Sequence, residues 1–312
     1  MRRFVSLCGI FLAAPLLAQT PHLLPHSPDL YVSGFFASNV RRIGGPLSAG
    51  AGTMSLFAQP VARPWGLAFG PDGALYVANP MGSPAIVKIN GPFSDSPGTA
   101  ETFVSDGAFY DLAFGADGNL YAAGAGSVLR YDIVTRQLID TFTHGYTLAG
   151  IRGIAFGPDG DLYVSNFDSC VNGPSGCTGS RGEIVRFDGS TGAYAGIDIP
   201  NGRGGLREPW KIAFNASGDL LVANFGVGES AILRFPPRSG SLRANATFIK
   251  REGMEPLYLA IGPDRNIYVS NSDASGSAGS VLRFDGRTGA FIDVFVPSVD
   301  GGPRGLAFAL GK

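Results

Sequence analysis

Cysteine, histidine, methionine and tryptophan are all scarce in this chain of 312 residues, with three, three, four and two copies. Each scarcity excludes something. Cys8 lies in the first twenty residues, so Cys170 and Cys177 stand as a lone pair. A zinc site built on them needs two further ligands, and no other His or Cys is nearby. His22 and His26 stand near the N-terminus, so His144 alone is available to chemistry in the body of the chain. Basic excess is also missing: 24 Lys+Arg face 25 Asp+Glu, a net charge of −1. That balance argues against a nucleic-acid partner, and no basic amphipathic helix suggests a membrane surface. Apart from 4–18, no long apolar run occurs, and no helical period of 3.6 competes anywhere after it. Gly-x-Ser-x-Gly, P-loop and His-Glu-x-x-His motifs are absent.

The opening, "MRRFVSLCGIFLAAPLLAQT", has two arginines, an apolar stretch and then small residues, the layout of a secretory signal peptide. The apolar stretch is shorter than the roughly 20 residues that span a bilayer. Cleavage is expected after Ala18, leaving a short leader over 19–28 and no membrane span. Removal takes two basic groups and leaves 22 against 25 acidic ones. An exported chain, periplasmic or secreted, sits where disulfides persist, so Cys170 and Cys177 are expected to be bonded.

What the chain has in abundance is glycine, 46 residues, and a recurring phrase. "GLAFGPDGALYVAN" at 66–79 returns as "GIAFGPDGDLYVSN" at 153–166, and more loosely from 111, 211 and 258. Two short β-forming runs flank a punctuating tetrapeptide; Pro71 presets φ and Gly73 accepts a positive φ, which predicts a hairpin. A third run ("SVLRYD", "EIVRFD", "SVLRFD") and a fourth ("LIDTF", "YAGIDI", "FIDVFV") follow each hairpin. Each unit therefore reads as a four-stranded antiparallel meander, and units starting at 66, 111, 153, 211, 258 and 305 have the spacing of a propeller. The ends complete one another: residues 29–59 supply strands two to four of a blade, and "GLAF" at 305–308 supplies strand one. The expectation is an all-β, six-bladed propeller over 29–312, with blades at 305–312 plus 29–59, 64–105, 109–145, 151–200, 209–250 and 256–297. Closure by the C-terminal strand removes edges that invite aggregation.

The phrase "GLAFGPDGALYVAN" followed by "VLRFDG" resembles the NHL-repeat propellers and their exported bacterial relatives. It is more distantly similar to lactonase-type and streptogramin-lyase-type six-bladed propellers. The resemblance implies the architecture over nearly the whole chain, whereas activity varies among such propellers. Lactonase-type members hold a metal with inner Asn, Asp and Glu. Lyase-type members rely on histidine with a metal and an acid, and here His144 is the single histidine of the repeats.

Residues present in every blade serve every blade. Arg42, Lys88, Arg130, Arg186, Arg234 and Arg283 share one place in strand three and are read as structural, their stems covering apolar surface and their heads bonding a neighbour or a turn. Asn79, Asn166, Asn224 and Asn271, which end strand two, are expected to bond their own following backbone. The departures are more informative. Between strands two and three the fourth blade carries a glycine-rich insertion, "NFDSCVNGPSGCTGSRGEIVR", that suits either binding or a tolerated insertion. The linkers into strand one place Trp65, Tyr110, Arg152, Trp210, Leu257 and Arg304 in one register on the same rim. Aromatics with arginines suit stacking on a sugar or clamping a carboxylate; packing between blades is the alternative.

The reading that follows is a non-catalytic propeller, monomeric, binding a protein, glycan or small molecule through Trp65, Tyr110, Arg152, Trp210 and Arg304, with no cofactor required. The alternative is a metal-dependent lactonase-like hydrolase or lyase at the central channel. Glu208 and Glu255, at equivalent places before proline, are then the candidates for a paired-acid or calcium site.

Overall fold

The computed structural model describes residues 28–124, 126–168, 181–226, 230–237, 246–272 and 277–309. The expected signal peptide and the Cys170–Cys177 pair lie outside the described residues.

The first blade contains β1 (Leu30–Gly34), β2 (Asn39–Ile43) and β3 (Met54–Ala58). The second has β4 (Leu67–Phe69), β5 (Leu75–Ala78), β6 (Ile86–Ile89) and β7 (Ala100–Val104). The third has β8 (Asp111–Phe114), β9 (Leu120–Gly124), β10 (Ser127–Tyr131) and β11 (Leu138–Thr141). The fourth has β12 (Ile151–Phe156), β13 (Leu162–Asp168), β14 (Arg181–Phe187) and β15 (Tyr194–Ile199). The fifth has β16 (Glu208–Phe214), β17 (Leu220–Phe225), β18 (Ala231–Phe235) and β19 (Thr247–Ile249). The sixth has β20 (Pro256–Ile261), β21 (Ile267–Ser272), β22 (Ala278–Phe284) and β23 (Phe291–Asp300). Finally β24 (Pro303–Phe308) returns to pair with β1, and the sheet order β24-β1-β2-β3 closes the ring.

Hydrophobic side chains on the pleated blades bury against the next blade, giving six clusters, one per blade interface. Tyr31, Val40, Leu67 and Leu75 join blades one and two, and Tyr268, Val281, Leu30 and Leu306 join blades six and one. The closing strand is thus packed as well as paired. The first strands contact one another in ring order, β4 with β8, β8 with β12, and so on to β24 with β4, and therefore line the axis.

The repeated polar residues form a brace inside four of the six blades, the second, third, fourth and sixth. The aspartate of the hairpin turn accepts from the strand-two tyrosine: Tyr76 to Asp72 at 3.0 Å, Tyr121 to Asp117 at 3.0 Å, Tyr163 to Asp159 at 2.9 Å and Tyr268 to Asp264 at 2.9 Å. The strand-three cation lies opposite that tyrosine in register, as Lys88 does with Tyr76, and pairs with Asp72 at 2.8 Å. Arg130 reaches Asp117 at 3.6 Å and Asp140 at 2.5 Å; Arg186 instead takes Asp161 at 2.6 Å. Burial pushes the Asp72 carboxyl up, but hydrogen bonds from Lys88, the Ala74 N–H and Tyr76 outweigh it, so the group sits below the usual carboxylate range. Blade five has Leu221 where the others have tyrosine, and there Arg234 lies over the Phe248 ring at 3.8 Å.

The strand-two asparagines also hold a segment that the sequence reading did not assign to them. Among the described residues, Asn79 bonds its own following backbone, accepting from Met81 N at 2.9 Å. Asn166 accepts from Ala149 N and Gly150 N, Asn224 from Arg207 N and Glu208 N, and Asn271 from Glu255 N. They fasten the chain leading into strand one, because antiparallel pairing puts that segment beside the end of strand two.

Candidate functional site at the channel mouth

Where the chain approaches the axis, strand one begins earlier than the linker reading places it. Arg152, Trp210, Leu257 and Arg304 lie inside β12, β16, β20 and β24. Each of those strands carries an irregularity there: Ile151 pairs Asn166 but Gly153 pairs Ser165, leaving Arg152 as the extra residue, and Leu257 is extra in the same way between Pro256 and Tyr258. The register also shifts between Pro209 and Ile212, and opposite Val32/Gly34 in β24. A bulge re-aims the side chain it carries, here a residue of the strand nearest the axis.

The rim residues consequently meet. Trp65, just before β4, and Trp210, in β16, belong to blades three places apart in the ring, yet their rings stack at 5.7 Å and 19°. Tyr110 meets Trp65 edge-on at 5.5 Å, and Phe35 does so at 5.3 Å. Arg152 lies 4.2 Å over the Tyr110 ring and 5.2 Å from that of Trp210. Arg304, buried, is 5.2 Å from the Trp65 ring and bonds Pro303 O and Ser272. Trp65, Tyr110, Arg152 and Trp210 retain partial exposure. The alternative of packing only between adjacent blades is therefore incomplete: the tryptophan stack joins opposite blades.

One residue further along the chain, the first strands carry Gly66, Asp111, Gly153, Lys211, Tyr258 and Gly305. Asp111 is fully buried and accepts from Lys211 Nζ at 2.6 Å, Tyr258 OH at 2.7 Å and Ile154 N at 2.9 Å. The Lys211 ammonium also lies 4.9 Å from the Tyr258 ring. Burial, reinforced by the Asp111 charge, pushes the Tyr258 phenol well above its ordinary range, so it remains a donor. Glycine makes room for this network: a Cβ at Gly66 would stand 2.6 Å from Tyr110 O, and one at Gly153 2.5 Å from Trp210 O. The sequence reading missed the network. Its signal was there, because the position is glycine in three copies of the phrase and Asp, Lys and Tyr in the others.

Three further candidates remain. His144 is exposed, with Nδ1 3.4 Å from Phe142 O. Glu208 stands on β16 directly before Pro209, and its backbone N–H bonds Asn224. Glu255 lines a crevice of about 470 Å³ with Phe225, Lys250, Arg251 and Met254. Among the described residues, no group of three or more His, Cys, Asp and Glu is arranged to hold a metal ion.

No protein-family model and no curated protein sequence matches the chain. Solved structures do. A gluconolactonase from Xanthomonas campestris superposes with a TM-score of 0.62 at 16% identity, over 90% of this chain and 88% of that one. A protein of unknown function from Bacteroides caccae gives 0.61 at 15%, over 91% and 99%. A streptogramin B lyase gives 0.51 at 18%, over 78% and 72%. At such identities the likeness defines the fold class, a six-bladed β-propeller.

Proposed function

We propose that this chain is an exported, non-catalytic propeller with repeats of the NHL type, and that the mouth of its channel binds a ligand through Trp65, Tyr110, Arg152, Trp210 and Arg304. The observation that carries the reading is the stack itself: aromatic and guanidinium side chains from different blades, the residue types that anchor binding, gathered at one partly exposed point. A scaffold of rigid strands holds them, so little ordering is required on binding.

The rival reading is a lactonase- or lyase-like enzyme at the channel. In its favour, Asp111, Lys211 and Tyr258 bring a carboxylate, an amine and a phenol into contact inside the ring. A divalent metal such as calcium does not fit the donors at the mouth. The Asn166, Asn224 and Asn271 side-chain oxygens already accept from backbone N–H groups, and Arg152 adds a positive charge beside the tyrosine and tryptophan rings. Glu208 and Glu255 remain the residues through which a metal-dependent version is open to test.

The two tryptophans of the chain are both in the stack, so intrinsic fluorescence reports on this site alone. The test is a ligand screen by fluorescence and thermal shift, with glycans, peptides, small organic molecules and calcium. A ligand that raises the melting temperature and perturbs tryptophan emission, and that loses affinity in Trp65→Ala and Trp210→Ala while the fold survives, is the expected result. Turnover of a lactone abolished by EDTA, or by Glu255→Gln, favours the rival.

A further inference from the structure

We infer that the ligand of the mouth is a ring-bearing carboxylate, received by Arg152 and by the indole N–H of Trp210. This rests on the mouth being the binding surface. Arg152 has no carboxylate within ion-pair distance among the described residues; its contacts are the Tyr110 and Trp210 rings and one long bond, Nη1 to Ile151 O at 3.4 Å. Its Nε and the Nε1 of Trp210 are both buried without a hydrogen-bond partner among the described residues. A buried N–H left unmatched costs about 1–3 kcal/mol, so two of them on side chains in contact mark a place suited to an acceptor.

The chemistry of that acceptor follows from charge. A guanidinium with no acid in ion-pair reach among the described residues favours an anion over a neutral carbonyl, and its planar fork matches a carboxylate. The nearby acid is already committed: Asp111 holds Lys211, Tyr258 and Ile154 N. One guanidinium edge and one indole N–H supply few donors, enough for two carboxylate oxygens and short of what a phosphate needs. The parts of Trp65, Tyr110 and Trp210 left exposed by the stack offer apolar surface to a flat ring attached to the acid.

The experiment compares benzoate, 2-naphthoate and indole-3-acetate with their amides, and with phenyl phosphate, by calorimetry on the purified protein. At least one acid should bind about tenfold or more tighter than its amide, the scale of a charge-assisted hydrogen bond. That preference should weaken with added salt, vanish in Arg152→Gln, survive in part in Arg152→Lys, and persist in Arg130→Ala. Equal binding of acids and amides, preference for phenyl phosphate, no binding of any acid, or an unchanged acid preference in Arg152→Gln overturns the inference. If the neutral amides bind and Trp210→Ala abolishes it, only the carboxylate assignment falls. If binding ignores both Trp65→Ala and Trp210→Ala, the mouth itself is wrong.

Discussion

The outer brace and the axis are built on opposite rules. In the brace, tyrosine, aspartate and a basic residue recur in four blades, and there the tyrosine and the aspartate bond each other within one sheet. Four blades carry that brace, and they lie far enough apart to be alike. At the axis the six first strands converge, and identity becomes impossible: six tyrosines do not fit and six aspartates repel. The ring therefore breaks its symmetry there. Glycine at 66, 153 and 305 yields space, Asp111, Lys211 and Tyr258 pair across blades, and Trp65 stacks on Trp210. Repeated residues thus report on the blade, and departures report on the one place all blades share.

Ring closure is the feature both regions depend on, and breaking it should have the largest effect. Deleting 303–312 removes the strand paired to β1 together with Leu306 from the sixth interface. The loss should be on the order of several kcal/mol from pairing and burial, read as a collapsed thermal transition. A truncated protein melting like the parent would contradict the closed ring.

Next in size is the axial ion pair. Asp111→Asn or Lys211→Met alone leaves a buried charge or donor unmatched, at a cost of about 3–5 kcal/mol in denaturant unfolding. The double change Asp111→Asn with Lys211→Met removes both charges while the amide still bonds Ile154 N and Tyr258 OH, and should recover part of that loss. Additive losses would show that the pair does not act as a unit.

The brace should respond more mildly and locally. Tyr76→Phe and Arg130→Ala should each cost about 0.5–1.5 kcal/mol and leave tryptophan emission unchanged. Because Asp72 and Asp117 are held below their ordinary value of 3.8, their contribution is present above that pH and lost as pH falls through the lower folded value. Asp72→Asn should accordingly flatten the acid side of the stability curve, measured by unfolding across pH.

The smallest change is a gain. The hairpin turns place Gly73, Gly118, Gly160 and Gly218 at positive φ, whereas blade six puts Arg265 there at 63°. Arg265→Gly relieves a strain of about 1 kcal/mol and should raise the melting temperature slightly.

How much of this the sequence carried divides along the same line. "GPDG" and the strand-three cation name the hairpin and its partner strand because turn chemistry and two-residue alternation are local. The missing first strand of blade one was legible because "GLAF" at 305–308 copies the phrase. Trp65, Tyr110, Arg152, Trp210 and Arg304 were legible as a register, but a register does not say that Trp65 and Trp210 touch; bulges and ring curvature decide that. Asp111, Lys211 and Tyr258 were passed over as unit starts, since their pairing spans 100 and 147 positions and no short-range pattern encodes it.

The most direct measurement is circular dichroism of the two indoles. If opposite blades bring Trp65 and Trp210 into one ligand-binding stack, the parent protein should show an exciton couplet. Neither Trp65→Phe nor Trp210→Phe should show it, and it should change when a ligand of the mouth is added. A parent spectrum equal to the sum of the two single-tryptophan variants, or a bound ligand that leaves the couplet untouched, would contradict the account.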